Sequence, residues 1–212
     1  MRAMSGVRVD HVIYAVNDLE VAGTRFVDEY GLASVEGGRH AGWGTANRIV
    51  PLGSSYVELV AVVDPHEAAS SVFGRPVLEA LAMREQLVGW AVATDDLRPI
   101  AARLSLDISQ GHRMKPDGTT LSWKLAGMAR ALDPGGLPFF IEWGGRRELH
   151  PGAAKASHRV KPSGLAWIEV ASDEESLRTW LGNFDFPVRC VGGPPSLSAV
   201  AVSTEAGEIV LR

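Results

Sequence analysis

Three ionisable side chains interrupt strand-like apolar runs in this chain. They are His11 in Asp10-His-Val-Ile-Tyr-Ala-Val16, Glu58 in Tyr56-Val-Glu-Leu-Val60 and Glu142 in Phe139-Phe-Ile-Glu-Trp143. Acidic groups enter such runs when they are paired, ligated or facing a wet cavity. An imidazole beside carboxylates suits two kinds of chemistry, proton transfer and divalent-ion binding. Strand side chains alternate, so His11 shares a face with Ile13 and Ala15, while Val12, Tyr14 and Val16 form the other. By the same rule Glu58 lies with Tyr56 and Val60, and Glu142 lies with Phe140 opposite Ile141 and Trp143. A cation such as Arg48 is an alternative partner for the glutamates.

Other candidates sit near turns. His40 and His112 occupy comparable glycine-bearing segments and suit a proton shuttle or a substrate-orienting role, and Trp43 and Trp123 suit a pocket wall. Gly37 to Gly44 is glycine-rich, but it lacks a phosphate loop's Gly-Lys-Ser/Thr ending and is predicted to be a turn. His66 reads as solvated, and Cys190 as an ordinary thiol.

The elements that must position these groups recur along the chain. Asn17 or Asp18 caps a predicted helix over 19–30, which Gly31 stops, so a covering helix follows the first strand directly. A short strand at 33–36 and a hairpin over 45–63 complete a strand-helix-three-strand unit. The phrase returns as Leu87-Val-Gly-Trp-Ala-Val-Ala-Thr-Asp-Asp-Leu97, which sets Asp96-Leu97 against Asp18-Leu19 and Gly89 against His11. That period is too long for a solenoid and marks duplication of a whole module. A linker over 64–76 leads to a short helix over 77–85. In the second module a helix over 97–106 precedes a loop with a Pro116-Asp-Gly118 turn, then strands at 119–126 and 137–143. The segment Gly144 to Gly164, rich in Gly and Pro and carrying His150 and His158, is predicted to be a long mobile cover over a cavity. A third, looser copy begins at Leu165, with a helix over 174–181 and strands near Val188, Ser198 and Ile209.

These readings predict an α+β fold of paired βαβββ modules with a third partial module. The boundaries fall at 1–84, 85–150 and 151–212. With 46% hydrophobic and 22% charged residues the chain is an ordinary globular one, and a net charge of −4 gives no basic footprint for nucleic acid. One cysteine excludes an intramolecular disulfide framework. The amino terminus lacks a signal-peptide core and no run is long enough to span a membrane, which predicts a cytoplasmic protein. The expected partner is a small molecule, and a homodimer fits.

The paired modules, with Gly-Gly-Arg-His40, Gly44-Thr-Ala-Asn-Arg-Ile-Val-Pro-Leu52, Tyr56-Val-Glu-Leu59, Leu121-Ser-Trp123 and Pro138-Phe-Phe-Ile-Glu-Trp143, resemble the vicinal oxygen chelate superfamily. Within it they look like the glyoxalase-like group, relatives of glyoxalase, bleomycin-resistance proteins and extradiol dioxygenases. The resemblance implies that the paired modules form a concave sheet cavity, with a divalent metal, one of Mn, Ni, Fe, Zn or Mg, on the first and last strands of each module. By position these are His11, Glu58, Gly89 and Glu142, of which His11, Glu58 and Glu142 can ligate. It further implies a metal-dependent lyase, isomerase or hydrolase with Glu58 or Glu142 as base. Substrate would be lined by His40, Trp43, Arg48, His112, Trp123 and Phe140. The alternative is a metal-free protein that sequesters a small molecule or antibiotic in the same cavity.

Overall fold

The computed structural model describes residues 7–212 except 115–117, 134, 146, 183, 185 and 186; the Pro116-Asp117 turn prediction therefore lies outside the described residues. The first module runs β1 (Arg8–Ala15), α1 (Leu19–Tyr30), β2 (Val35–His40), β3 (Thr45–Pro51) and β4 (Tyr56–Val62). Asp18 caps α1 by accepting from the amides of Glu20 and Val21, and Gly31 ends it in the left-handed conformation at φ 69°, which a residue with a Cβ adopts only at a cost. Two helices, α2 (Pro65–Ser70) and α3 (Gly74–Met83), lead to the second module: β5 (Gln86–Ala93), α4 (Arg98–Leu104), β6 (Ile108–Met114), β7 (Thr120–Ala126), α5 (Met128–Leu132) and β8 (Phe139–Trp143). The last unit is β9 (Pro162–Ala171), α6 (Glu174–Leu181), β10 (Val188–Val191), β11 (Ser196–Thr204) and β12 (Gly207–Leu211).

The two copies of the opening phrase pair with each other. β1 and β5 are antiparallel neighbours at the centre of one eight-stranded sheet of order β2-β3-β4-β1-β5-β8-β7-β6. Each half closes on its own first strand, β4 running parallel to β1 and β8 parallel to β5. The sheet curls until its edge strands β2 and β6 meet, giving a nearly closed α+β barrel with a concave interior. The last unit forms a separate four-stranded sheet, β10-β9-β11-β12.

Alternation divides the apolar residues into two cores. On the convex side Val12, Val57, Leu59, Trp90 and Phe140 pack against α1, α6 and the inner face of the small sheet. On the concave side Ile13, Ala15, Val60, Ala91 and Ile141 pack under Phe73 and Val77 at α3 and Ala131 and Leu132 of α5. One end of the concavity is therefore plugged and dry.

The element predictions fail where glycine was read as a turn. β2 runs straight through Gly37-Gly38, and β6 occupies the predicted loop around Gly111. Both glycines leave room for a neighbouring side chain: a Cβ at Gly37 would collide with Asn47 and Arg113, and one at Gly111 with the Trp123 indole. The predicted linker holds α2, and α5 was not foreseen because its five residues are too few to show a period. The connection after β8 is fastened rather than free. The Gly53 amide donates to the Gly152 carbonyl, the Arg159 amide to the Gly31 carbonyl, and the Ala33 amide to His158.

Trp90 is fully buried and donates its indole N–H to the Gly136 carbonyl at 3.0 Å. Trp90→Ala should cost about 3–5 kcal/mol of unfolding free energy, measured by urea titration with an unchanged m-value.

Candidate active site

The site begins with an irregularity in β1. Its pairing with β5 steps from Val9↔Val92 to His11↔Ala91, so Asp10 is an extra, bulged residue. The bulge releases Asp10 from strict alternation and lets its carboxylate lie beside the ring of its own neighbour. Asp10 has no exposed surface, yet both oxygens are used. Oδ2 accepts from His11 Nδ1 at 2.7 Å, Oδ1 accepts from His150 Nε2 at 2.9 Å, and the Trp143 indole N–H lies 3.1–3.2 Å from both. Burial alone would push this carboxyl up, but the hydrogen bonds from His11 and His150 outweigh it and hold the group well below the usual carboxylate range.

An ionised Asp10 only accepts, so His11 must donate from Nδ1, and its Nε2 lone pair points away from Asp10. The ring is held in that position by stacking on Tyr56, with centroids 4.5 Å apart and planes 17° from parallel. Nε2 faces Glu58, 3.8 Å from Oε2. His150 is fixed in the same way, because its Nδ1 accepts the Gly152 amide and so Nε2 carries the proton given to Asp10.

Glu58 sits in a second network. Arg113 Nη1 donates to Asn47 Oδ1 at 3.1 Å, which turns the Asn47 amide nitrogen toward Glu58 Oε1 and His40 Nε2. His40 Nδ1 meets Thr45 Oγ1 at 2.9 Å, and its Nε2 lies 3.4 Å from Glu58 Oε1. A neutral His40 accepts from Asn47, and a protonated one faces the carboxylate. Burial would raise Glu58, but His40, followed by the charge of His11 and the Asn47 hydrogen bond, lowers it from 4.5 to about 2.

These groups line an inner pocket of about 30 Å³, walled by Trp43, Phe73, Trp123, Phe139 and Ile141. Trp143 separates it from an outer chamber of about 520 Å³, bordered by Arg8, Thr94, Leu149 and His150. Asp10 lies behind Trp143 and links His150 in the outer chamber to His11 in the inner pocket.

A family model described as a glyoxalase-like domain matches residues 9–183. The chain belongs to the glyoxalase-like domain family. With it the chain joins the vicinal oxygen chelate superfamily. No protein of curated function matches it. Among solved structures, a hypothetical protein from Staphylococcus aureus is similar over 90% of this chain and 88% of its own, at 17% identity and a TM-score of 0.71, a likeness of fold. The Mycobacterium tuberculosis methylmalonyl-CoA epimerase is similar over 70% and 95%, at 24% identity and a TM-score of 0.49.

This glyoxalase-like chain departs from the metal pattern that the resemblance implied. His11 and Glu58 face the cavity together, but Gly89 offers no ligand and a Cβ there would run into Leu132 of the α5 plug. Glu142 is on the convex face, held by Lys124 Nζ at 2.6 Å and the Leu97 amide at 2.9 Å. The reason is register. Ile13 pairs with Glu58, and its repeat mate Ala91 pairs with Phe139, so Phe139 and not Glu142 takes the place of Glu58 in the second module. Among the described residues no group of three or more His, Cys, Asp or Glu side chains is arranged to hold a metal ion. The four-position metal site does not fit this chain.

Three substrate-lining expectations also change. Phe140 packs in the convex core against Trp180, and Arg48 ties β3 to Ser34 and Glu20 outside the barrel. His112 is an exposed β6 residue in a small surface pocket shared with His40, Trp43 and Trp123. His40, Trp43 and Trp123 line the inner pocket. Asp10, Asn47 and Arg113 were missed. Strict alternation would put Asp10 on the face opposite His11, and the other two act across strands whose meeting no local pattern reveals.

Because the fold favours ionised Glu58, its contribution to stability is complete above about pH 4.5 and is lost as pH falls through 2. Chemical denaturation between pH 6 and pH 2 should show the wild type losing on the order of 3 kcal/mol more than Glu58→Gln. Titrating chelator-treated protein with Mn²⁺, Ni²⁺ or Zn²⁺ should shift its melting temperature by no more than about 1 °C; tight binding abolished by His11→Ala would contradict the misfit.

Proposed function

We propose that this chain is an acid–base enzyme of the vicinal oxygen chelate superfamily, an isomerase or lyase that moves a proton on a small oxygenated molecule. The observation that carries the reading is the Asp10–His11 pair. A buried carboxylate bonds Nδ1 at 2.7 Å and turns Nε2 to the pocket, where the neutral form of the ring presents its lone pair. Glu58, at about 2, is a poor base near neutrality but a permanent negative charge beside Nε2.

In the proposed step His11 Nε2 takes a proton from a carbon next to a carbonyl. The C–H bond breaks, its electron pair passes to the carbonyl oxygen as an enolate, and the proton remains on Nε2. The imidazolium so formed is stabilised at Nδ1 by Asp10 and at Nε2 by Glu58. Returning the proton to another face or atom of the enolate gives the isomer, with no redox partner required. Dry apolar packing under α3 and α5 keeps bulk water from that end of the cavity.

The test is hydrogen–deuterium exchange at carbon, followed by NMR, over a panel of small ketones and 2-oxo and 2-hydroxy acids. Wild type should catalyse exchange of at least one member. His11→Ala should slow it about 10²-fold or more, and Asp10→Asn should also impair it by releasing the tautomer. Binding of panel members without exchange would favour the ligand-sequestering alternative.

A further inference from the structure

The proton-transfer reading leaves one buried charge unused. Arg113 lines the inner pocket and is 5% exposed. Among the described residues it forms no ion pair, and its one hydrogen bond there goes from Nη1 to the neutral Asn47 amide oxygen. Buried cations are ordinarily paired, and one neutral acceptor does not offset the desolvation of a guanidinium. Arg113 does join β6 to β3 across the mouth of the barrel, but an uncharged amide could make that link at far lower cost. Gly37 is the residue that admits it, since a Cβ there would meet the Arg113 guanidinium at 2.7 Å.

We propose that Arg113 is the substrate-anchoring residue of the inner pocket and that the group it anchors is a carboxylate; the inference deepens the reading above by naming the substrate class of the same site. Three observations select this chemistry. A guanidinium presents a planar fork of donors that matches the two oxygens of a carboxylate. The pocket, at about 30 Å³, is small, which suits a compact head group such as a carboxylate. Glu58 stands on the other side of Asn47 as a fixed negative charge, which repels a phosphate dianion more strongly than a singly charged carboxylate. The walls of the same pocket, Trp43, Phe73 and Trp123, suit the apolar carbon that joins such a head. A short carboxylic acid that also carries a ketone, enolised at C3 of a 2-oxo acid or at C2 of a 3-oxo acid, would then present that C–H carbon toward His11.

The experiment compares acetate, acetamide and inorganic phosphate on the full chain by ¹H–¹⁵N titration of the tryptophan indole resonances. Wild type should bind acetate about tenfold or more tightly than the isosteric acetamide, and phosphate more weakly than acetate. Arg113→Gln should abolish the acetate preference, Arg113→Lys should retain a reduced one, and His11→Ala should leave it intact while stopping carbon exchange. Equal binding of acetate and acetamide by the wild type overturns the proposal, as does phosphate binding more tightly than acetate or an undiminished preference in Arg113→Gln. If Arg113→Gln does not fold, the wild-type comparison together with the acetate-induced shift of the Arg113 Nε resonance decides. An acetate preference without carbon exchange would keep the anchor and remove the enzyme reading.

Discussion

The Asp10 carboxylate is the point on which the site depends. A fully buried anion survives only if its hydrogen bonds replace water, and here His11, His150 and Trp143 all donate to it. Each donor comes from a different part of the chain. His11 is its neighbour on β1, Trp143 ends β8, and His150 belongs to the connection that follows. One charge therefore fixes the tautomer of the base, the wall between the two chambers and the seat of the strap. Removing any donor would leave a buried acceptor short of partners, so the chemistry and the local stability cannot be separated.

The two modules form the halves of one barrel but divide the labour between them. The first module supplies His11, His40, Asn47 and Glu58. At the corresponding places the second module has Gly89 and Phe139, and its α5 helix fills the space with Leu132. Its polar contribution is Arg113, which reaches across where the sheet edges meet. The asymmetry explains how a chain of this family carries the fold without the four-position ligand set. Convergence of four ligands requires matching register in both halves, and a shift of three residues on β8 sends Glu142 to the convex face beside Lys124.

Pocket dimensions set the scale of the chemistry. The inner pocket is small and suits the reacting end of a molecule, while the outer chamber has room for a larger part. A small polar pocket with apolar walls strengthens each electrostatic contact within it, since little water competes. The contacts with His40, His11 and Asn47 keep Glu58 ionised against its burial, and a buried arginine in the same pocket is an informative residue.

Local pattern by itself determined the periodic features of this protein. The recurrence of Asp18-Leu19 as Asp96-Leu97, the capped helix after β1 and the alternation in β1, β4 and β8 were all legible, because each depends on neighbours a few residues apart. The face of Glu142 was legible too, since it shares a side with Phe140. What local pattern could not show was which side that is, because the pairing of β8 with β5 sets it. Tertiary structure alone decided that Asp10 bulges next to His11, that Gly37 and Gly111 are strand positions making room for Asn47, Arg113 and Trp123, and that Arg113 meets Asn47. The bulge is a property of two paired strands, and the Arg113–Asn47 contact exists only once the curled sheet brings its edges together.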